Sequence, residues 1–166
     1  MFKDFLLKSI IKDLKVLKRL AGKVPEDQMD FRPKEGVRST EELLQYLSYA
    51  STAILQYWLD NPDQVEFRTF MTKVSDQSKN LKKEDFPQVF ENQAAVAEKL
   101  FSRFSDEELL TKEVVHPSGT TFKLGEAIIE TSVKWLAAYK MQLFLYLKMS
   151  TDHLLTTPDL WRKFED

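Results

Sequence analysis

Few side chains in this sequence are equipped for chemistry, and their spacing restricts them further. There are two histidines, His116 and His153, and no cysteine. Disulfides, thiolate zinc, Fe–S ligation and cysteine nucleophiles are thereby excluded. His116 precedes Ser118 by two residues, but Pro117 and Gly119 are turn residues and nothing nearby orients the imidazole. A Ser–His nucleophilic arrangement is therefore not expected. Glu126 and Glu130 are four apart, as helix-borne carboxylate ligands would be, yet their phase opposes Ile128, Ser132 and Trp135. Glu130 also precedes Lys134 by four, the spacing of an outward ion pair. Only four glycines occur, none adjacent, so no Gly-rich phosphate loop exists.

What remains is a stripe of polar and aromatic residues. Ser132, Trp135, Tyr139, Gln142 and Tyr146 follow one another at steps of three and four, and Tyr46, with Tyr49 and Tyr57, lies on an earlier segment. Tyr and Trp bury a large apolar body while keeping a hydrogen-bonding handle. Such stripes are more often core than site. Gln142 raises the odds of a site, because a buried carboxamide is costly until its hydrogen bonds are met, by a pocket or an ordered water.

The elements that must position these residues are helical. Phe2, Leu6, Ile10, Leu14, Leu17 and Ala21 mark one face of a helix over 2–22, closed by Gly22 and Pro25. Residues 25–38 are a loop with two prolines and a glycine. Ser39 and Glu42 form a capping box that opens a second helix, whose inner stripe continues through Leu43, Tyr46, Leu47, Ala50, Ile54 and Tyr57 or Trp58 to Asp60-Asn61-Pro62. Residues 63–84 are polar, with a short helix at Phe67, Phe70, Met71 and Val74. Asp85 caps a third helix with Phe86, Phe90, Ala94, Ala97, Phe101 and Phe104 inward. Residues 111–123 suit a short hairpin or ordered loop around Pro117-Ser118-Gly119. A fourth helix runs from about Leu124 to Met149, and one more amphipathic turn holds Leu160, Trp161 and Phe164. The expected fold is all-α, a four-helix bundle in one domain spanning 1–166.

Charge and hydropathy narrow the partners. Lys and Arg number 24 against 26 Asp and Glu, a net charge of −2. Residues 1–23 hold seven Lys/Arg against two Asp, a local +5. That is better read as the solvated face of a bundle helix than as a lipid or nucleic-acid surface, because no aromatic-interleaved basic patch accompanies it. The longest apolar stretch, 136–149, is interrupted by Lys140, Gln142 and Lys148, and lysines and Asp4 break the N-terminal runs. Neither a membrane span nor a signal-peptide hydrophobic region is expected, and the location expected is cytoplasmic.

RPKEGVRSTEELLQYLSYAS (32–51) resembles the stretch of DinB-like (DinB/YfiT-like) proteins in which a Pro-containing Arg-Ser loop leads into a helix reading Leu-Leu-x-His-Leu. GEAIIETSVKWLAAYKMQLFLYLK (125–148) is similar to the last long helix of that superfamily, which ends His-x-x-x-His-x-x-Gln before an apolar run. The resemblance implies a four-helix bundle of up-down-down-up style, often a homodimer. Many members hold nickel or zinc through three histidines, and some are transferases using bacillithiol, mycothiol or glutathione. Carried over, the three histidine positions fall on Tyr46, Trp135 and Tyr139. Indole has no free lone pair and an ordinary tyrosine stays protonated near pH 7, so neither metal nor other cofactor is expected. The function expected is non-catalytic small-molecule binding or a stress-associated role, with a pocket lined by Tyr46, Trp135, Tyr139, Gln142 and Ser132. The alternative is a thiol-dependent transferase or hydrolase without the usual metal, in which Tyr139 or Tyr46 acts as acid or hydrogen-bond donor.

Overall fold

The computed structural model describes residues 1–60 and 66–161. Asn61, Pro62 and Phe164, expected at a helix end and in the last turn, lie outside the described residues. The chain is mostly helical: α1 Phe2–Gly22, α2 Thr40–Ala50, α3 Ala53–Leu59, α4 Phe67–Ser78, α5 Phe86–Phe101, α6 Asp106–Thr111, α7 Leu124–Ile128, α8 Lys134–Ser150 and α9 Thr157–Trp161. Strands β1 Glu113–Val115 and β2 Thr121–Lys123 pair antiparallel, Val114 opposite Phe122. Gly119 takes φ +85° in their turn, a conformation that glycine adopts without steric cost.

α1 packs along α5 and α8, and α2 packs on α8 and α5, around one apolar core. The α1 stripe is as expected, with Leu6, Ile10, Leu14, Leu17 and Ala21 buried. The Ser39 hydroxyl accepts the Glu42 N–H while the Glu42 carboxylate accepts the Ser39 N–H, which fixes the start of α2. On α5, Gln93 is buried where Ala94 was expected.

Two helices expected to be continuous are broken, and the breaks face each other. The second expected helix divides at Ser51-Thr52 into α2 and α3. The carbonyls freed there are met by side chains from elsewhere in the chain: Gln93 donates to the Leu47 carbonyl at 2.9 Å, and Ser132 donates to the Ser51 carbonyl at 2.8 Å. The Ser51 hydroxyl in turn donates to Gln93 Oε1 at 2.6 Å. The Leu47 and Ser51 carbonyls and the Ser51 hydroxyl at this buried junction therefore have partners, as burial demands.

The fourth expected helix is interrupted by a π turn at Ile129–Val133, between α7 and α8. A π turn accommodates one extra residue, so the helix face beyond it rotates by roughly 100° relative to an unbroken helix. Beyond it Leu136, Lys140, Leu143 and Leu147 are buried, together with Phe144, and these four are each one residue past the expected Trp135, Tyr139, Gln142 and Tyr146. Trp135, Tyr139 and Gln142 are left half-buried, whereas Tyr146 is also covered.

The same rotation drives Lys140 into the core. Its side chain is 1% exposed and its ammonium pairs with Asp13 of α1, whose side chain is 17% exposed. The Trp161 ring lies over the ammonium, 4.2 Å from nitrogen to ring centroid. Arg19 pairs with the buried Asp159 at 3.1 Å, binding α9 to α1 above this cluster.

Candidate functional site

Trp135 and Tyr139 project from the first turns of α8, beside Tyr46 in the middle of α2. Tyr46 and Tyr139 meet edge to face with ring centroids 4.8 Å apart, and Tyr49 packs edge-on to Tyr46 at 5.5 Å. The Arg38 guanidinium, from the loop before α2, sits 4.5 Å from the Tyr46 ring centroid and 5.5 Å from that of Tyr139. Its backbone is held from below. Gln142 donates to the Tyr146 hydroxyl at 2.5 Å, and that hydroxyl donates to the Arg38 carbonyl at 2.9 Å. The carboxamide of Gln142 thus meets its need through Tyr146 rather than through a pocket.

α4 closes the other side. It packs on α2 and α3, with Phe67 and Phe70 edge-on to Tyr57 at 5.2 and 5.5 Å. Between α4 and the Tyr46–Trp135 surface runs an open groove of about 470 Å³. Its apolar lining is Tyr46, Tyr49, Trp135, Phe67 and Met71, and its charged lining is Arg38, Arg68, Asp76 and Lys79. Lys79 and Asp76 form an ion pair at 2.7 Å, so they cancel. Among the described residues, Arg38 and Arg68 make no ion pair.

Of the five residues expected around a pocket, Tyr46 and Trp135 line this groove. Tyr139 stands behind Tyr46 and supports it. Gln142 and Ser132 are not in the lining: one positions Arg38 through Tyr146, and the other, fully buried, seals the α2–α3 break. The sequence reading missed Arg38, Arg68, Phe67 and Met71. The spacing of Phe67, Phe70 and Met71 announced α4 but not its docking over α2.

Tyr46 remains a phenol. Burial pushes its hydroxyl above the ordinary tyrosine range and the neighbouring Tyr139 adds to this, while Arg38 works in the opposite sense. The residues do not fit the nickel or zinc that the DinB-like resemblance implies at Tyr46, Trp135 and Tyr139. One is an indole, one a phenol held neutral, and a guanidinium already stands over two of the three rings. Among the described residues, no three His, Cys, Asp or Glu side chains converge as a metal site.

The histidines lie apart from the groove. His116 Nδ1 is 2.8 Å from Ser118 Oγ and also accepts the Ser118 N–H at 3.1 Å, a local closure of the hairpin turn. His153 Nε2 contacts the Lys23 carbonyl at 2.9 Å. Glu130 pairs with Lys134 at 2.5 Å on the surface, as its spacing predicts. No described helix is long and apolar enough to cross a membrane. Comparison with family profiles, with curated proteins and with solved structures returns no match.

Proposed function

We propose that this chain is a DinB-like four-helix bundle whose metal-ligand positions are taken by aromatic side chains, and that it binds a small molecule without catalysing its conversion. The observation that carries this reading is the groove: Tyr46 and Trp135, brought from α2 and α8, open together onto one concavity of about 470 Å³. That volume falls within the range of small-ligand sites, and its wall sets four aromatic side chains among polar and charged ones that could orient a ligand. The packing of α1, α2, α5 and α7–α8 around one core supports the bundle. The π turn directly before Trp135 adds weight, because such turns occur frequently at functional sites.

Metal analysis of the purified protein, together with nickel and zinc titration, tests the loss of the metal site. The reading expects no stoichiometric metal, and near one per chain overturns it. A small-molecule screen read by the Trp135 indole resonance tests the groove; hits that shift it sustain the reading, and a surface indifferent to every compound class removes it. The homodimer belongs to the same DinB-like reading, and sedimentation velocity checks it.

A further inference from the structure

The charge of the groove specifies more than its shape does. Its two arginines make no ion pair among the described residues, whereas its one carboxylate, Asp76, is paired with Lys79. Glu42, four residues after Arg38, is held by two contacts from Arg32 at 2.7 and 2.8 Å, and Arg38 adds only a weaker electrostatic pull on it. The rest of the wall is Tyr46, Tyr49, Phe67, Met71 and Trp135, with the hydroxyls of Thr72 and Ser75. The Arg38 guanidinium carbon lies 4.5 and 5.5 Å from the centroids of two rings inclined at 68°, and aromatic rings accept none of its five N–H donors in conventional hydrogen bonds. That leaves donors for two-pronged recognition of a planar oxyanion. Arg38 is also held in place: its carbonyl is fixed by Tyr146, and its side chain rests on two rings that themselves interlock. A preformed donor loses less conformational freedom on binding.

We infer that the groove takes a small organic carboxylate with a flat apolar body, the acid group bound by Arg38 and the body laid against Trp135 and Tyr49. Arg68, on the α4 wall, adds positive potential at the rim. Tyr46, a neutral phenol, adds no negative charge to the wall that would repel an anion. A neutral aromatic finds the same wall but leaves the guanidinium unanswered, and an aromatic ammonium meets repulsion from both arginines. The inference rests on the groove being a ligand site, as proposed above, and adds the class of ligand.

Three probes with one aromatic body separate the two claims: 1-naphthoate, 1-naphthalenemethanol and 1-naphthylmethylammonium, titrated by calorimetry and followed at the Trp135 indole N–H resonance, assigned with Trp135→Phe. Naphthoate is expected to bind at least about tenfold more tightly than the alcohol, the increment of one charge-assisted hydrogen bond. Its affinity should fall with added salt, and the ammonium should bind most weakly. Arg38→Met should bring naphthoate down to the level of the alcohol without altering the alcohol. Arg38→Lys should recover part of the difference, and Arg68→Met, on an exposed helix face, should cost naphthoate a smaller factor. Equal affinity of acid and alcohol, or an Arg38→Met protein of native circular dichroism that weakens both equally, overturns the anion assignment and leaves the groove standing. If none of the probes moves the Trp135 resonance, both the inference and the ligand site fall.

Discussion

Lys140 offers the sharpest test of how this chain is assembled, because the buried pair it makes with Asp13 joins α8 to α1 across 127 residues of sequence. Lys140→Met keeps the volume of the side chain and removes its charge. The Asp13 carboxylate is then left facing an apolar side chain in a site only 17% exposed. Breaking a buried pair from one side costs about 3–5 kcal/mol, and the partial exposure of Asp13 favours the lower end. The lost contact between ammonium and Trp161 adds roughly 0.5–1 kcal/mol. A total of about 3.5–4 kcal/mol, at about 2 kcal/mol per molar urea, lowers the unfolding midpoint by roughly 2 M. Adding Asp13→Leu should then recover most of the loss, since a packed apolar pair can match or exceed a buried ionic one. Urea unfolding of the four proteins in this cycle, followed by circular dichroism, gives the coupling directly. A single variant within about 1 kcal/mol of the parent, or losses that simply add, would refute the placement of this pair in the core.

Three further outcomes follow from the same structure. Gln93→Ala leaves the Leu47 carbonyl and the Ser51 hydroxyl without their partner, and chemical denaturation should show a loss of about 2–3 kcal/mol, more than an ordinary surface change. Tyr139→Ala removes a half-buried ring, so its cost should stay near 2 kcal/mol, under the 3–5 kcal/mol of a wholly buried aromatic; a larger loss would make Tyr139 pure core. The Arg32 guanidinium, helped by the Ser39 N–H, holds the Glu42 carboxyl at about 2 against an ordinary 4.5. Its folded-state pKa is depressed, so its stabilisation is complete above pH 4.5 and is lost as pH falls toward 2. Glu42→Gln should flatten the acid limb of a plot of urea midpoint against pH, and an unchanged slope would contradict this pairing.

The chemistry that is absent was plain before any folding: with two histidines and no cysteine, a three-histidine site could not be built. Tyr46 and Trp135 were also legible as a pair, through helical spacing and the DinB-like pattern. The guanidinium beside them was not. Arg38 is one arginine in a loop, and only the hydroxyl of Tyr146, 108 residues away, fixes its carbonyl. Arg68 and Met71 belong to a helix whose periodicity was visible but whose docking over α2 depends on contacts between aromatic rings on separate elements.

What the sequence determined by itself is therefore local: the stripe of α1, that of α5 apart from Gln93, the capping box at Ser39, the hairpin turn at Gly119, and the outward pair of Glu130 and Lys134. Each depends on residues within a few positions of one another, which is the range over which periodicity and turn chemistry act. The tertiary structure decided where helices break and so which face turns inward. A break leaves backbone carbonyls unmet, and Ser132 meets that of Ser51 across 81 residues, while Gln93 meets that of Leu47 across 46. The π turn shifts the buried face of α8 by one position, burying Lys140 in place of Tyr139 and turning Trp135 toward the groove. A helical pattern read along the chain carries no record of that extra residue, because its partners lie elsewhere in the sequence.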